Sequence, residues 1–400
     1  MDVNKIKALF PMYTKHPDLI YLDSSATSLK PQYVLDKMNE YYSDYGVNIH
    51  RGVYNLSYIA TDKYDEARQN IASFLNADFQ EIVFTKNVTE ALNKAALMFS
   101  EFLSPGDEVI TTELEHHSSM LPWQVISKNK KLKLTYLPLT KEGRITVENF
   151  KKIITNKTRI IALTYVSNTM GYMTDIKEIT KIAHEHNIVV IVDAAQAVPH
   201  LKIDVKDLDC DFLAFSGHKM FGPTGIGVLY GKKALLKKLT PIDFGGDMNE
   251  DVDLYDVEIK DIPYRFEAGT PPIAEAIGLS AAVDFIKSIG YENIHMHEIA
   301  LLNYAHAKLK QVKGITVYNW TSDIGLINFN IDNVHPHDAA TLFDKNNIAI
   351  RAGHHCAQLV SKLLKCNGTL RASFYIYNDR NDVDAFVRTI EETVSFFSQF

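Results

Sequence analysis

From residue 82 onward, short continuous apolar runs alternate with longer stretches of helical spacing. Ile82–Thr85, Glu108–Thr111 and residues 133–137, 159–164 and 188–192 are runs of the first kind, and Pro105-Gly106 punctuates between them. A run that is apolar at successive positions is buried on both faces, as strands of a parallel sheet are. The segments between have helical length, Asn87–Phe102 for example. Strand–helix alternation of this kind predicts an α/β fold, a mostly parallel sheet lying between helices. Ligands of such sheets bind beyond the carboxyl ends of the strands.

Two more apolar runs, Phe212–Phe215 and Ile226–Tyr230, flank a polar turn that holds Ser216, His218 and Lys219. A lysine at the buried end of a sheet is rarely placed there without a task. Desolvation would lower its pKa and make its amine a nucleophile toward carbonyls, as in a Schiff base with pyridoxal phosphate (PLP). A surface lysine in a glycine-rich loop is the plainer alternative. Gly222, Gly225 and Gly227 precede a strand and not a helix, so they make no dinucleotide fingerprint.

The other strand ends also carry polar groups. Thr85-Lys-Asn-Val-Thr-Glu90 leads from a strand into a helix N-terminus, where free backbone N–H groups and the dipole favour a phosphate and Thr89 adds a hydroxyl. An ordinary cap by Asn87 or Thr89 explains the same residues. Glu113–Ser118 contains His116 and His117, whose adjacency disfavours one shared metal and suits a ring stacked on a ligand. Asn168 stands in the polar stretch 164–171. Asp193 ends the run Ile191-Val-Asp193, and Gln196 follows. A buried carboxylate needs a partner, and a protonated pyridine nitrogen is one. Capping of the next helix is the alternative. Asn48-Ile-His-Arg-Gly52 is a polar turn holding His50 and Arg51, readable also as a solvated loop.

Residues 240–272 read as an irregular acidic excursion, and Ala274–Ile289 as a helix bridging to a second domain. That domain has antiparallel signs, with strands at 315–318, 325–330, 348–351 and 370–374 and a helix at 336–346. The last helix carries a core stripe, Val383, Phe386, Val387, Ile390, Val394 and Phe397. The expected division is a large domain over 21–289 and a smaller α+β domain made of 1–20 and 290–400. In the latter, Arg351-Ala-Gly-His-His-Cys356 puts a cysteine behind two histidines, and a protonated histidine would raise its thiolate fraction. An inert buried cysteine is the alternative, as assumed for Cys210 and Cys366. Arg371, on a strand, has the planar fork to grip a carboxylate.

Composition narrows the function classes. The 400 residues are 46% hydrophobic and 23% charged, with net charge -7, which argues against broad nucleic-acid binding. No apolar run approaches the roughly 18 residues of a membrane helix. The start lacks the apolar core of a signal peptide, and three cysteines suit a reducing compartment. A cytoplasmic enzyme is expected, with no metal site.

Together the motifs resemble the cysteine desulfurases of the SufS type, within the class-V aminotransferases. The resemblance runs from Tyr21 to Asn378 and rests on Ser216-Gly-His-Lys219 with Gly222–Gly227, and on Arg351–Cys356 with Arg371-Ala-Ser373. It implies the PLP fold-type I architecture and a homodimer. It implies that Lys219 carries PLP, that Asp193 pairs with the pyridine nitrogen, and that Gln196 and Asn168 lie at the phenolic oxygen. His116 would stack on the ring. Val88, Thr89, Ser216 and His218 would hold the phosphate, with Thr270 from the other subunit. Arg371 would bind the substrate carboxylate, with Asn168, His50 and Arg351 near it. Cys356 would take the sulfur of L-cysteine as a persulfide and leave alanine. A sulfur-acceptor protein of the SufE or SufU type would then carry the sulfur to iron–sulfur cluster assembly. Ser24, Leu359 and Pro272 depart from the family pattern. A selenocysteine lyase or cysteine sulfinate desulfinase on the same scaffold is the nearer alternative reading. A Cys–His hydrolase or redox protein without PLP is the more distant one.

Overall fold

The computed structural model describes residues 1–399. They fall into two compact units, one of residues 33–165 and 174–286, the other of residues 1–32, 166–173 and 287–399. Residues 21–32 and 166–173 therefore group with the smaller unit and not with the larger. The reason for the first is backbone pairing: β1 (Ile20–Tyr21) runs parallel to β13 (Ile348–Ala349).

In the larger unit the apolar runs are strands. They are β2 (Ile82–Thr85), β3 (Glu108–Thr111), β4 (Lys133–Tyr136), β5 (Thr158–Thr164), β6 (Val189–Asp193), β7 (Phe212–Ser216) and β8 (Gly227–Gly231). They form one sheet in the order β2-β8-β7-β6-β5-β3-β4. Parallel pairing holds from β7 to β4, and β8 is antiparallel to both its neighbours. The helices pack as the run lengths require. Helix Val88–Ser100 sits on the sheet through Ala91, Leu92, Ala95, Ala96 and Met98, all buried among Val109, Ile160, Ile191 and Phe212.

The helix Asn55–Leu75 buries Ala60, Tyr64, Ala67, Ile71 and Ala72, and with them Arg68. A guanidinium can be buried only if paired. Glu267 meets it fork to fork, Nη1 to Oε1 and Nη2 to Oε2, both at 2.7 Å, and Oε1 also accepts from Phe84 N–H at 2.6 Å. The pair ties the stretch before Gly269-Thr270 to β2. The acidic excursion is not wholly irregular. It contains the antiparallel hairpin β9 (Asn249–Val252) and β10 (Val257–Ile259), whose tip residues Leu254 and Tyr255 are 86% and 99% exposed.

The smaller unit has a four-stranded antiparallel sheet, β11 (Ile315–Val317), β12 (Leu326–Ile331), β14 (Arg351–Gly353) and β15 (Thr369–Ser373), in the order β11-β12-β15-β14. The predicted strand 348–351 is thus two strands in different sheets. Val383, Phe386, Val387 and Ile390 of the last helix are buried against Phe329, Phe343 and Phe374, while Val394 is only partly buried. No helix among the described residues is long and apolar enough to cross a membrane.

Candidate active site

The larger unit gathers its polar groups where β5, β6 and β7 end. After Ser216 the chain makes a tight turn, Gly217–Lys219, runs irregularly through residues 220–226 and returns as β8, so that Ser216 pairs with Gly227. A Cβ on Gly227 would lie 2.6 Å from the Asn87 backbone. Only glycine permits that approach, which presses β8 against the head of helix Val88–Ser100. Val88 N–H consequently donates to Ser216 Oγ at 2.8 Å. Asn87 is the cap, its Oδ1 accepting from Glu90 N–H at 3.0 Å. Thr89 Oγ1 lies 2.7 Å from Ser118 Oγ. Lys219 and His218 are half-buried, not enclosed as the flanking runs implied. The turn lifts them off the strand end.

Asp193 is buried at the end of β6, between Thr164 of β5 and Ala214 of β7. Burial pushes its carboxyl up, against the pull of the Ala195 N–H on Oδ1 and of the Lys219 ammonium. Gln196 is buried three residues on. His116 caps helix His117–Lys130: its Nδ1 accepts from Ser118 N–H at 3.1 Å, which leaves the proton of the neutral ring on Nε2. Beside it Glu115 is wholly buried, Oε1 accepting from Thr112 Oγ1 at 2.8 Å and Thr164 N–H at 3.0 Å. Burial pushes its carboxyl up to about 8. Thr270 is exposed, on a cavity of about 320 Å³ lined also by Phe84, Lys86, Lys94 and Glu267. His50 has φ 67° and stands edge-on to Tyr64 and Tyr264.

The smaller unit gathers the rest. Arg371 on β15 is 2% exposed. Its Nη1 donates to Asn168 O at 2.8 Å and its Nη2 to Asp23 Oδ1 at 3.2 Å. Arg351 lies 3.9 Å from Asp23 Oδ2. Asn168 reaches the cysteine loop as well: its Nδ2 donates to His355 O at 2.8 Å. Cys356 is exposed. His355 and Cys356 have φ of 52° and 55°, both left-handed. Non-glycine residues held there cost roughly 1–2 kcal/mol each.

His355 does not act as a cation beside this thiol. It is buried, its Nε2 lies 2.9 Å from Thr369 Oγ1, and burial with the Arg371 and Arg351 charges drives its pKa down to about 2. The ring is neutral throughout the working range, so His355 is not the histidinium expected beside the thiol. Cys210 is buried, with its thiol pushed up, whereas Cys366 is only half-buried and bonds to Ser361 O at 3.8 Å.

The class-V aminotransferase profile matches residues 20–386 of this sequence. The chain belongs to the class-V aminotransferase family. It is 49% identical over 402 residues to a probable cysteine desulfurase of Halalkalibacterium halodurans, covering 99% of each. Its fold superposes on a cysteine desulfurase from Thermococcus onnurineus NA1 with TM-score 0.94 at 40% identity, covering 98% of each chain. The Escherichia coli cysteine desulfurase CsdA, with 99% of each chain covered, gives 0.93 at 37%. Class-V aminotransferases work with PLP, and the residues present fit it. A helix N-terminus with hydroxyls suits a phosphate, and a buried carboxylate within reach of the Lys219 charge suits a pyridinium and an amine-bound carbonyl.

Asp23, Glu115 and Thr369 were not singled out by the sequence. Asp23 is 348 residues from the arginine it pairs with, and no spacing announces such a pair. Ser24, a departure from the family pattern, bonds through Oγ to buried Tyr377 OH at 2.5 Å.

Proposed function

We propose that Cys356 is the sulfur acceptor with which this PLP-dependent cysteine desulfurase converts L-cysteine to L-alanine. The observation that carries it is an exposed thiol on a strained loop, joined through Asn168 to a buried guanidinium. PLP, when bound, supplies the electron sink at the substrate's Cα. Ser216, Val88 N–H, Thr89 and His218 would hold its phosphate, Asp193 its ring nitrogen, Gln196 and Asn168 its phenolic oxygen, and His116 would serve its ring. Lys219 Nζ would anchor it and afterwards move protons at the substrate carbons. Arg371 binds the substrate carboxylate by its fork, with His50 and Arg351 beside it. Cys356 Sγ, as thiolate, attacks the substrate sulfur. An S–S bond forms, the C–S bond breaks, and its electron pair stays on the carbon, which takes a proton.

A persulfide on an exposed loop is delivered to a docking protein, a SufE- or SufU-type acceptor feeding iron–sulfur cluster assembly in the cytoplasm. The enzyme acts as a homodimer in which Thr270 serves the other subunit's phosphate, a reading refuted by fully active monomers in sedimentation. Cys356→Ser tests the central step. The visible cofactor band should persist and still respond to L-cysteine, while alanine and sulfide production collapse. Mass spectrometry of the native chain after L-cysteine should place added sulfur on Cys356. Undiminished turnover in the variant, or sulfur mainly on Cys210 or Cys366, would overturn the reading.

A further inference from the structure

The left-handed backbone at His355 and Cys356 has no glycine, asparagine or aspartate to favour it. Such a pair persists only where the surroundings over-determine it. Two contacts hold His355 at opposite ends: Asn168 Nδ2 on its carbonyl at 2.8 Å and Thr369 Oγ1 on its ring Nε2 at 2.9 Å. Ala357 N–H closes the turn onto His354 O at 2.8 Å. Thr369 opens β15 opposite Gly353 and stands two residues before Arg371, on the same face of the strand. One strand face thus carries the arginine and the hydroxyl that fixes the cysteine loop.

We propose that Thr369 is a positioning residue for Cys356, acting through the His355 ring, with Asn168 as the second anchor. The inference rests on Cys356 being the sulfur acceptor. Attack of one sulfur on another needs a defined approach, and a displacement of about 1 Å can cost up to 10²-fold in rate. The Thr369 hydroxyl touches neither substrate nor cofactor in this assignment, so its loss should be felt in the sulfur-transfer step and not in binding.

The test uses holoenzyme with Thr369→Val, which keeps the shape and removes the hydroxyl, and Thr369→Ser, which restores it. For Val, kcat on L-cysteine should fall about 10-fold with KM within about twofold, and the rate of Cys356 alkylation by iodoacetamide should change. Serine should return both toward wild type. L-Selenocysteine, whose selenium leaves more readily, should be turned over with a smaller loss. Cys356→Ser run alongside calibrates how far each substrate depends on the thiol. If Cys356→Ser spares L-cysteine turnover, the acceptor assignment falls. If Cys356→Ser collapses it but Thr369→Val leaves kcat unchanged, lowers both substrates equally or is not rescued by serine, the positioning role is overturned. Should valine prevent cofactor loading, Thr369→Ala carries the same comparison.

Discussion

Arg371→Lys keeps the positive charge and removes the fork. In the native site Nη1 holds Asn168 O at 2.8 Å and Nη2 holds Asp23 Oδ1 at 3.2 Å, on a side chain 2% exposed. An ammonium is a point charge and cannot make both contacts while presenting two parallel N–H groups to a carboxylate. Hydrogen bonds to charged groups contribute about 1.5–3 kcal/mol each. Loss of one inner contact and of one of the two bonds to substrate gives about 3–6 kcal/mol. That corresponds to a fall of about 10²–10⁴-fold in kcat/KM. The loss should lie mainly in KM, because the carboxylate is gripped equally before and during the reaction. The assay is alanine formation by holoenzyme over a wide range of L-cysteine, with a thermal melt on the same preparation. A kcat/KM within threefold of wild type at unchanged stability would remove Arg371 from carboxylate binding.

Glu267→Gln leaves an acceptor for Phe84 N–H but strips the buried Arg68 of its counter-charge. The expected cost is about 3–5 kcal/mol, a drop of roughly 10 °C in the melting temperature of the holoenzyme, and an unshifted melt would show that the pair does not hold this unit together. Glu115→Gln should change how stability depends on pH. Burial raises the carboxyl from 4.5 to about 8, so between those values the folded state binds more protons than the unfolded, and wild-type stability falls as pH rises through that window. Glutamine removes this slope, so the variant should gain on wild type as pH rises from 4.5 to about 8, and a pH-independent gap between their melting temperatures would contradict the assignment.

The strands of the larger sheet were legible because burial on both faces leaves continuous apolar runs, as in Ile82–Thr85 and Phe212–Ser216. The hairpin β9–β10 was hidden because Glu250, Asp251, Asp253 and Asp256 mask a pairing made by backbone alone. The Lys219 turn and Asp193 could be read from their places at strand ends. The neutral state of His355 could not, since it depends on Thr369 and two arginines brought by other strands. Asp23 escaped notice for the same reason, its partners being Arg351 and Arg371. What spacing along the chain records is local, and electrostatic partnership is not.

Residues 166–173 belong to the smaller unit while the chain on both sides belongs to the larger, so the polypeptide passes between the units four times. Neither unit is therefore one continuous stretch of gene. A fragment spanning 33–286 would still carry this eight-residue insert without Asn319 and Asp323, which bond to Met170 O, Gly171 O and Met173 N–H. A break at the outer boundary near residue 286 therefore parts this insert from the residues that hold it within its own unit.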